Sequence, residues 1–239
     1  MQQQRAIAAS RPRAAPAAAP RPQRARRVAC AAGPLKLYTN PGSRGKIAEF
    51  YLAELGLDVE TVQVDMRGGD HKKEAYRKLH PFGQVPVLDD GGLPIFESGA
   101  ILIHLANKYG KLDPDALGRA ASWILFANST LCEALFGGAS SKREGLLDTL
   151  ESILSKQPYL EGDEFTVSDV AVGSYLLYMP LFFPDSVPLR QRAVWDYAQR
   201  VAARDACPQS YKDGVAAAVA KGGGGGGGVG GLFSKISGR

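Results

Sequence analysis

Residues 80–105 read HPFGQVPVLDDGGLPIFESGAILIHL, and their hydrophobic period changes within one short stretch. Val85-Pro86-Val87-Leu88 and Leu93-Pro94-Ile95-Phe96 are brief apolar runs on either side of Asp90-Gly91-Gly92, the pattern of a β-hairpin. From Ser98 the apolar residues move to helical spacing at Ile101, Leu102, Leu105 and Tyr109, and Gly110 closes the run. A hairpin followed at once by a helix is the second half of a small α/β unit.

The first half lies upstream. Leu35-Lys36-Leu37-Tyr38 alternates like a strand and stops at Asn40-Pro41-Gly42. Ile47, Phe50, Tyr51 and Leu55 then recur at helical spacing up to Gly56, and Asp58 to Val64 alternates again. Strand, helix and strand in under thirty residues make a βαβ unit. With a short helical segment at 71–79, the order is βαβ, α, ββ, α, which predicts a thioredoxin-like α/β domain over 34–111. Beyond Lys111 nothing has strand character. Helical patterns at 115–136, 142–157, 167–179, 188–204 and 208–220 predict an all-α domain over 112–221. Thr166-Val167-Ser168-Asp169 has the form of a capping box opening one of those helices. Gly222 to Gly228 is unbroken glycine, so 222–239 is expected to be a flexible tail.

Composition narrows the function classes. Apolar residues make up 45% of the 239, and no apolar run nears the roughly 20 residues of a membrane-spanning helix, so a soluble globular chain is expected. The net charge is +5, but residues 1–33 hold seven Arg and no acidic residue. The remainder carries 22 basic against 24 acidic residues, a formal charge of −2, and gives no electrostatic case for nucleic acid. An Arg-rich, acid-free, Ala- and Pro-rich leader has the character of an organelle transit peptide. Its end, Arg27-Val28-Ala29-Cys30-Ala31-Ala32, resembles green-algal plastid processing sites. Residues 1–33 are therefore expected to direct the chain to the chloroplast stroma. A mitochondrial address and an extension that stays attached are the alternatives. Cys30, Cys132 and Cys207 have no disulfide or zinc spacing, so no metal is expected and a reducing compartment is implied.

His71-Lys72, then His80-Pro81-Phe82-Gly83-Gln84-Val85-Pro86-Val87-Leu88, then Phe96-Glu97-Ser98-Gly99-Ala100-Ile101 resemble the glutathione transferases, in spacing closest to the plant phi-type enzymes. Tyr38 to Ser43 is similar in its strand-to-serine spacing to the serine-type classes. The resemblance covers roughly 35–210 and implies a glutathione-binding domain, a helical domain, a homodimer and conjugation of glutathione to small hydrophobic electrophiles. It implies that Ser98 holds the γ-glutamyl carboxylate at a helix N-terminus, that Glu97 pairs with the amine, and that Gln84 supports that end. A cis bond before Pro86 would expose the Val85 N–H and C=O to the cysteinyl backbone. His71 and Lys72 would take the glycine carboxylate.

A transferase must hold the thiol of glutathione as a thiolate. Ser43, in the turn before a helix N-terminus, can donate to sulfur, and Arg44 or a backbone N–H is the alternative. The absence of cysteine from 38–46 argues against disulfide-exchange chemistry. Peroxidase chemistry on the same thiolate stays open. Trp123, Phe126, Leu131, Leu135 and Phe136 are candidates for an electrophile pocket, although residues at helical spacing are more often core than substrate contacts. The rival reading is a non-catalytic protein of the same fold that carries hydrophobic ligands such as tetrapyrroles or serves a plastid partner.

Overall fold

In the computed structural model, which describes residues 34–138, 140–184, 187 and 190–221, the alternation at Leu35 becomes a central strand. The expected leader (1–33) and tail (222–239) lie outside the described residues. Strand β1 (Leu35–Thr39) pairs in parallel with β2 (Val59–Gln63), from Leu35↔Val59 to Thr39↔Gln63. On its other side it runs antiparallel to β3 (Val87–Asp90), and β3 pairs antiparallel with β4 (Pro94–Phe96). The sheet order is β2-β1-β3-β4.

The parallel pair needs a crossover. Helix α1 (Gly45–Glu54) supplies it and buries Ile47, Ala48, Phe50, Tyr51 and Leu52. Its first residue has to be glycine, because a Cβ there would sit 1.8 Å from Thr39 Oγ1. A 3₁₀ turn at Asp70–Lys72 and the short α2 (Glu74–Arg77) follow β2. Tyr76 of α2 forms a small core with Val64 and Val87, whereas the neighbouring Leu88 belongs to the main core. Alternate residues of β3 thus face opposite sides of the sheet.

Helix α3 (Ser98–Lys108) packs against α1 with Ile101, Leu102, Leu105 and Ala106 buried. Its far end is tied to β3 by the buried Asp90 carboxylate. That group accepts from His104 Nε2 at 2.6 Å, Lys108 Nζ at 2.7 Å and the Tyr109 hydroxyl at 2.8 Å. Burial alone would raise the Asp90 pKa, but the Lys108, His104 and Tyr109 donors prevail and hold it below the usual carboxylate range.

The second half is helical. α4 (Pro114–Phe126) opens on Asp113, whose carboxylate accepts from Ala116 N at 2.8 Å, with Pro114 in the first turn. The sequence predicts an unbroken helix over 115–136. Instead a π turn at Ala127–Leu131 separates α4 from α5 (Cys132–Phe136). α6 (Ser140–Leu154), α7 (Val167–Phe182), α8 (Arg192–Ala202) and α9 (Gln209–Ala220) complete the described helices.

Helix α7 is apolar nearly all round and correspondingly buried from Val167 to Pro180. The Thr166 hydroxyl accepts from Ser168 N at 3.2 Å, and Asp169 Oδ2 accepts from Thr166 N at 2.8 Å. Asp169 Oδ1 accepts from Leu160 N at 2.9 Å and the Tyr197 hydroxyl at 3.0 Å, so the cap also fixes the preceding loop and α8. α7 packs on α1, α3, α4, α8 and α9, and one core cluster joins Leu37 and Phe50 of the first half to Val170 and Tyr175 of the second. The halves are also clamped by Arg204, whose guanidinium donates to Glu54 at 2.6 and 2.8 Å and lies 3.7 Å from the Phe165 ring centroid.

Candidate active site

The strand register gathers the sequence motifs at one end of the sheet. Tyr38 pairs with Val87, and Val87 with Phe96. The chain leaves β1 and β4 where it enters β3, so the turn Asn40–Arg44, the Val85-Pro86 dipeptide and Glu97-Ser98 converge. The N-termini of α1 and α3 open at that same end, each with positive dipole potential.

The turn before α1 is held by its own polar groups. Asn40 Nδ2 donates to Val64 O at 3.2 Å, and Ser43 N donates to Asn40 O at 2.9 Å. The Ser43 hydroxyl is buried and donates to Asn40 O at 2.7 Å while accepting from Gly45 N at 3.1 Å. Its single proton is therefore engaged within the turn, and reaching a sulfur requires it to leave Asn40 O. From the helical half, the Tyr178 hydroxyl donates to Ser43 O at 3.1 Å.

Arg44 is half-buried and projects toward that half. Burial disfavours its charge, but the charge and hydrogen-bonding interaction with Tyr175, then Glu97 and Cys132, outweigh it and keep the guanidinium firmly protonated. Burial pushes Tyr175 up to about 12, so its hydroxyl keeps its proton at neutral pH. Burial likewise raises the Cys132 thiol, with Arg44 and Tyr175 only partly opposing it, so Cys132 is a poor nucleophile.

At the start of α3, Glu97 adopts φ 69°, ψ 123°, a backbone conformation that side chains other than glycine rarely adopt. Such strain, of about 1–3 kcal/mol, collects where function needs a fixed geometry. The Ser98 hydroxyl is buried and donates to Asn128 Oδ1 at 3.2 Å, and the Tyr175 hydroxyl donates to the same oxygen at 2.6 Å. The backbone N–H groups of the first turn, more than the Ser98 proton, are thus left for an anion.

Between these ends lies the Val85-Pro86 peptide, which is cis. Among the described residues no backbone hydrogen bond takes up the Val85 N–H or C=O. Gln84 is half-buried, and its carbonyl accepts from the Tyr76 hydroxyl at 2.7 Å. The 80–84 loop packs on His71, where a Cβ at Gly83 would lie 2.5 Å from His71 O. His71 Nδ1 is buried with no hydrogen-bond partner. Lys72 beside it is exposed. Ser43, Arg44, Val85, Pro86, Glu97 and Ser98 thus share one end of the sheet, Gln84 borders it, and His71 with Lys72 flanks it from the 3₁₀ turn.

Three residues of the helical half, Asn128, Tyr175 and Tyr178, reach this wall without a local sequence signal. Among the proposed pocket residues, Leu131, Leu135 and Phe136 are buried in the core, while Trp123 and Phe126 are half-buried and meet edge-on. Among the described residues there is no cluster of His, Cys, Asp or Glu able to hold a metal and no helix long and apolar enough to cross a membrane.

A thioredoxin-like sheet presenting a cis-proline edge and two helix N-termini, braced by a helical domain, is a two-domain α/β-plus-α architecture. Residues 33–107 match the family model for the glutathione S-transferase N-terminal domain. The chain is 40% identical over 182 residues to glutathione S-transferase PM239X14 of Arabidopsis thaliana, covering 62% of this chain and 83% of that one. It is 34% identical over 165 residues to glutathione S-transferase F9 of the same plant, covering 57% and 77%. The fold is shared with a glutathione transferase family member from Pseudomonas fluorescens solved with two glutathione bound, at TM-score 0.66, 23% identity and 74% and 92% coverage. The chain belongs to the glutathione S-transferase family.

Proposed function

We propose that the protein is a glutathione transferase that holds glutathione across the end of the sheet and passes its thiolate to small hydrophobic electrophiles. The observation that carries this reading is the convergence of the α1 N-terminus, the Val85 cis edge and the strained Glu97-Ser98 corner. The glutathione backbone would pair with Val85 as an added strand. Its γ-glutamyl carboxylate would lie on the first turn of α3 and its amine on Glu97, with Gln84 alongside. The glycine carboxylate would fall to His71, whose Nδ1 lacks a partner, and to Lys72.

Sulfur at the start of α1 would meet the Ser43 hydroxyl and the Arg44 cation. Moving the Ser43 proton from Asn40 O to a thiolate exchanges a neutral hydrogen bond of about 1 kcal/mol for a charged one of about 1.5–3 kcal/mol. The net gain, about 1 kcal/mol, lowers the thiol pKa by somewhat less than one unit. Arg44 and the helix N-terminus supply the remainder. A non-catalytic carrier has no physical need of this set together, so the enzyme reading is preferred.

The family relationship supports a homodimer, and so does the surface. Phe82, on the loop that flanks the site, is 74% exposed, and Leu125 on α4 is 58% exposed. A first domain set against its partner's helices would cover both, and Phe82→Asp would then yield a monomer in sedimentation. The Arg-rich leader supports import into the chloroplast. Isolation of the native protein from plastids with its N-terminus near Ala31 is the expected result, and recovery of intact Met1 in the cytosol would refute it.

The decisive test is calorimetric titration of the chain from Ala31 with glutathione, together with the thiolate absorbance of the complex against pH. Binding with a depressed thiol pKa is expected. Ser43→Ala should raise that pKa by about one unit and Arg44→Ala should raise it further. No binding would leave a transferase fold used as a carrier.

A further inference from the structure

Two ends of the candidate site are joined through side chains of the helical half. Asn128 Oδ1 accepts from the Ser98 hydroxyl at 3.2 Å and from the Tyr175 hydroxyl at 2.6 Å. Tyr175 is 1% exposed, and its hydroxyl interacts electrostatically with the Arg44 guanidinium. Two hydroxyls thus converge on one acceptor, Tyr175 O–H and Ser98 O–H both donating to Asn128 Oδ1, and the Arg44 charge lies beside the Tyr175 hydroxyl. Asn128 belongs to the π turn between α4 and α5, a helix irregularity frequent at functional sites.

The approach is close enough to constrain the neighbouring backbone. A Cβ at Gly99 would stand 2.1 Å from Asn128 Nδ2 and 3.1 Å from Ile124 Cγ2. The Asn128 amide therefore lies directly over the first turn of α3. With Oδ1 held by two hydroxyls, Nδ2 is the part of the amide left to face that turn.

We propose that Asn128 is a positioning residue that couples the γ-glutamyl end of the glutathione site to its thiol end, through Tyr175 and Arg44. The inference rests on the transferase reading above. A γ-glutamyl carboxylate arriving at the start of α3 draws on Ser98 and on the Asn128 amide. That contact fixes the carboxamide, which fixes Tyr175, which holds Arg44 in one orientation beside the sulfur. Glutathione binding and thiol ionisation are then linked through the helical domain. The other ionisable groups facing the relay are Glu97 at the start of α3 and Cys132 on α5. Glu97 is exposed and Cys132 is neutral, so neither takes the place of the Tyr175 link.

The test compares Asn128→Ala, Tyr175→Phe and the double variant in the full-length protein, with glutathione itself as the probe. Each single variant should weaken glutathione binding about tenfold and raise the pKa of the bound thiol by about one unit. The double variant should be no worse than the poorer single one, because both cut the same chain of contacts. If the parent binds glutathione and both variants keep its affinity and thiol pKa, the cluster is only structural and the proposal fails, whatever happens to the melting temperature. Fully additive effects overturn it as well. Should Asn128→Ala fail to fold, Tyr175→Phe, which removes a single oxygen, carries the same readout against the parent. Absence of glutathione binding by the parent overturns both this inference and the transferase reading.

Discussion

Replacing Glu97 by glycine should stabilise the fold and cripple the site at once. At φ 69°, ψ 123° the side chain forces a backbone conformation costing about 1–3 kcal/mol. Glycine adopts it freely but loses about 0.5–1 kcal/mol more chain entropy on folding. The Glu97 side chain is exposed, so little packing is lost, and the Ile101 N–H bond to the Glu97 carbonyl (3.0 Å) is kept. The net gain is about 1 kcal/mol, or about 3 °C in Tm for a domain of this size. The same change removes the carboxylate assigned to the γ-glutamyl amine. A charged hydrogen bond of about 1.5–3 kcal/mol corresponds to a tenfold to hundredfold weaker Kd. Differential scanning calorimetry gives the first quantity and isothermal titration with glutathione the second. Glu97→Gln serves as the control, weakening binding without the gain in Tm. A Glu97→Gly variant that melts lower and binds glutathione as the parent does would refute both the strain and the assignment.

The interdomain clamp and the buried Asp90 give two further expectations. Arg204→Ala should lower stability by about 1–2 kcal/mol, from a partly exposed bidentate pair and its stacking on Phe165. Arg204→Lys should not restore it, since an ammonium cannot reproduce the fork; full rescue in thermal melts would contradict this. The Asp90 pKa is depressed in the folded state, so its contribution is fully present above the ordinary carboxylate pKa and is lost as pH falls through the lower, folded value. Asp90→Ala should cost about 1.5–3 kcal/mol at pH 7, and the difference from the parent should shrink below about pH 4. A gap that stays constant down to pH 2 would show that the carboxylate charge is irrelevant.

The sheet was legible in the sequence because each strand is short, alternating and bounded by turn residues, and because α1 and α3 keep a clean helical period. The site motifs were legible for a different reason: their order and spacing resemble those of the glutathione transferases, and the sheet then brings them to one edge. The helical half hid its contribution. Asn128 stands among Ala127, Ser129 and Thr130, and nothing local marks a π turn that aims it at α3. Tyr175 lies in a helix apolar on all sides, where a tyrosine reads as core. The spacing marks Ser43 or Arg44 as partner of the sulfur, but that the Ser43 hydroxyl donates to Asn40 O depends on how the turn closes and carries no local signal. Leu131 and Leu135 show the converse, since helical spacing cannot separate a pocket wall from core.

Two of the ties between the halves span long stretches of chain: Tyr178 to Ser43 over 135 residues and Arg204 to Glu54 over 150. At about 5–20 residues per second, α1 leaves the ribosome roughly 7–30 seconds before the helices that cover it exist. Until then the faces of α1 and α3 that meet α7 have nothing to pack against. The turn that holds Ser43 can close on its own polar groups, but the Tyr178 bond to Ser43 O and the relay behind Arg44 form only once α7 arrives. A chain cut short after Lys111 would carry most of the residues assigned to glutathione but display, beside them, the apolar faces of α1 and α3 that α7 covers.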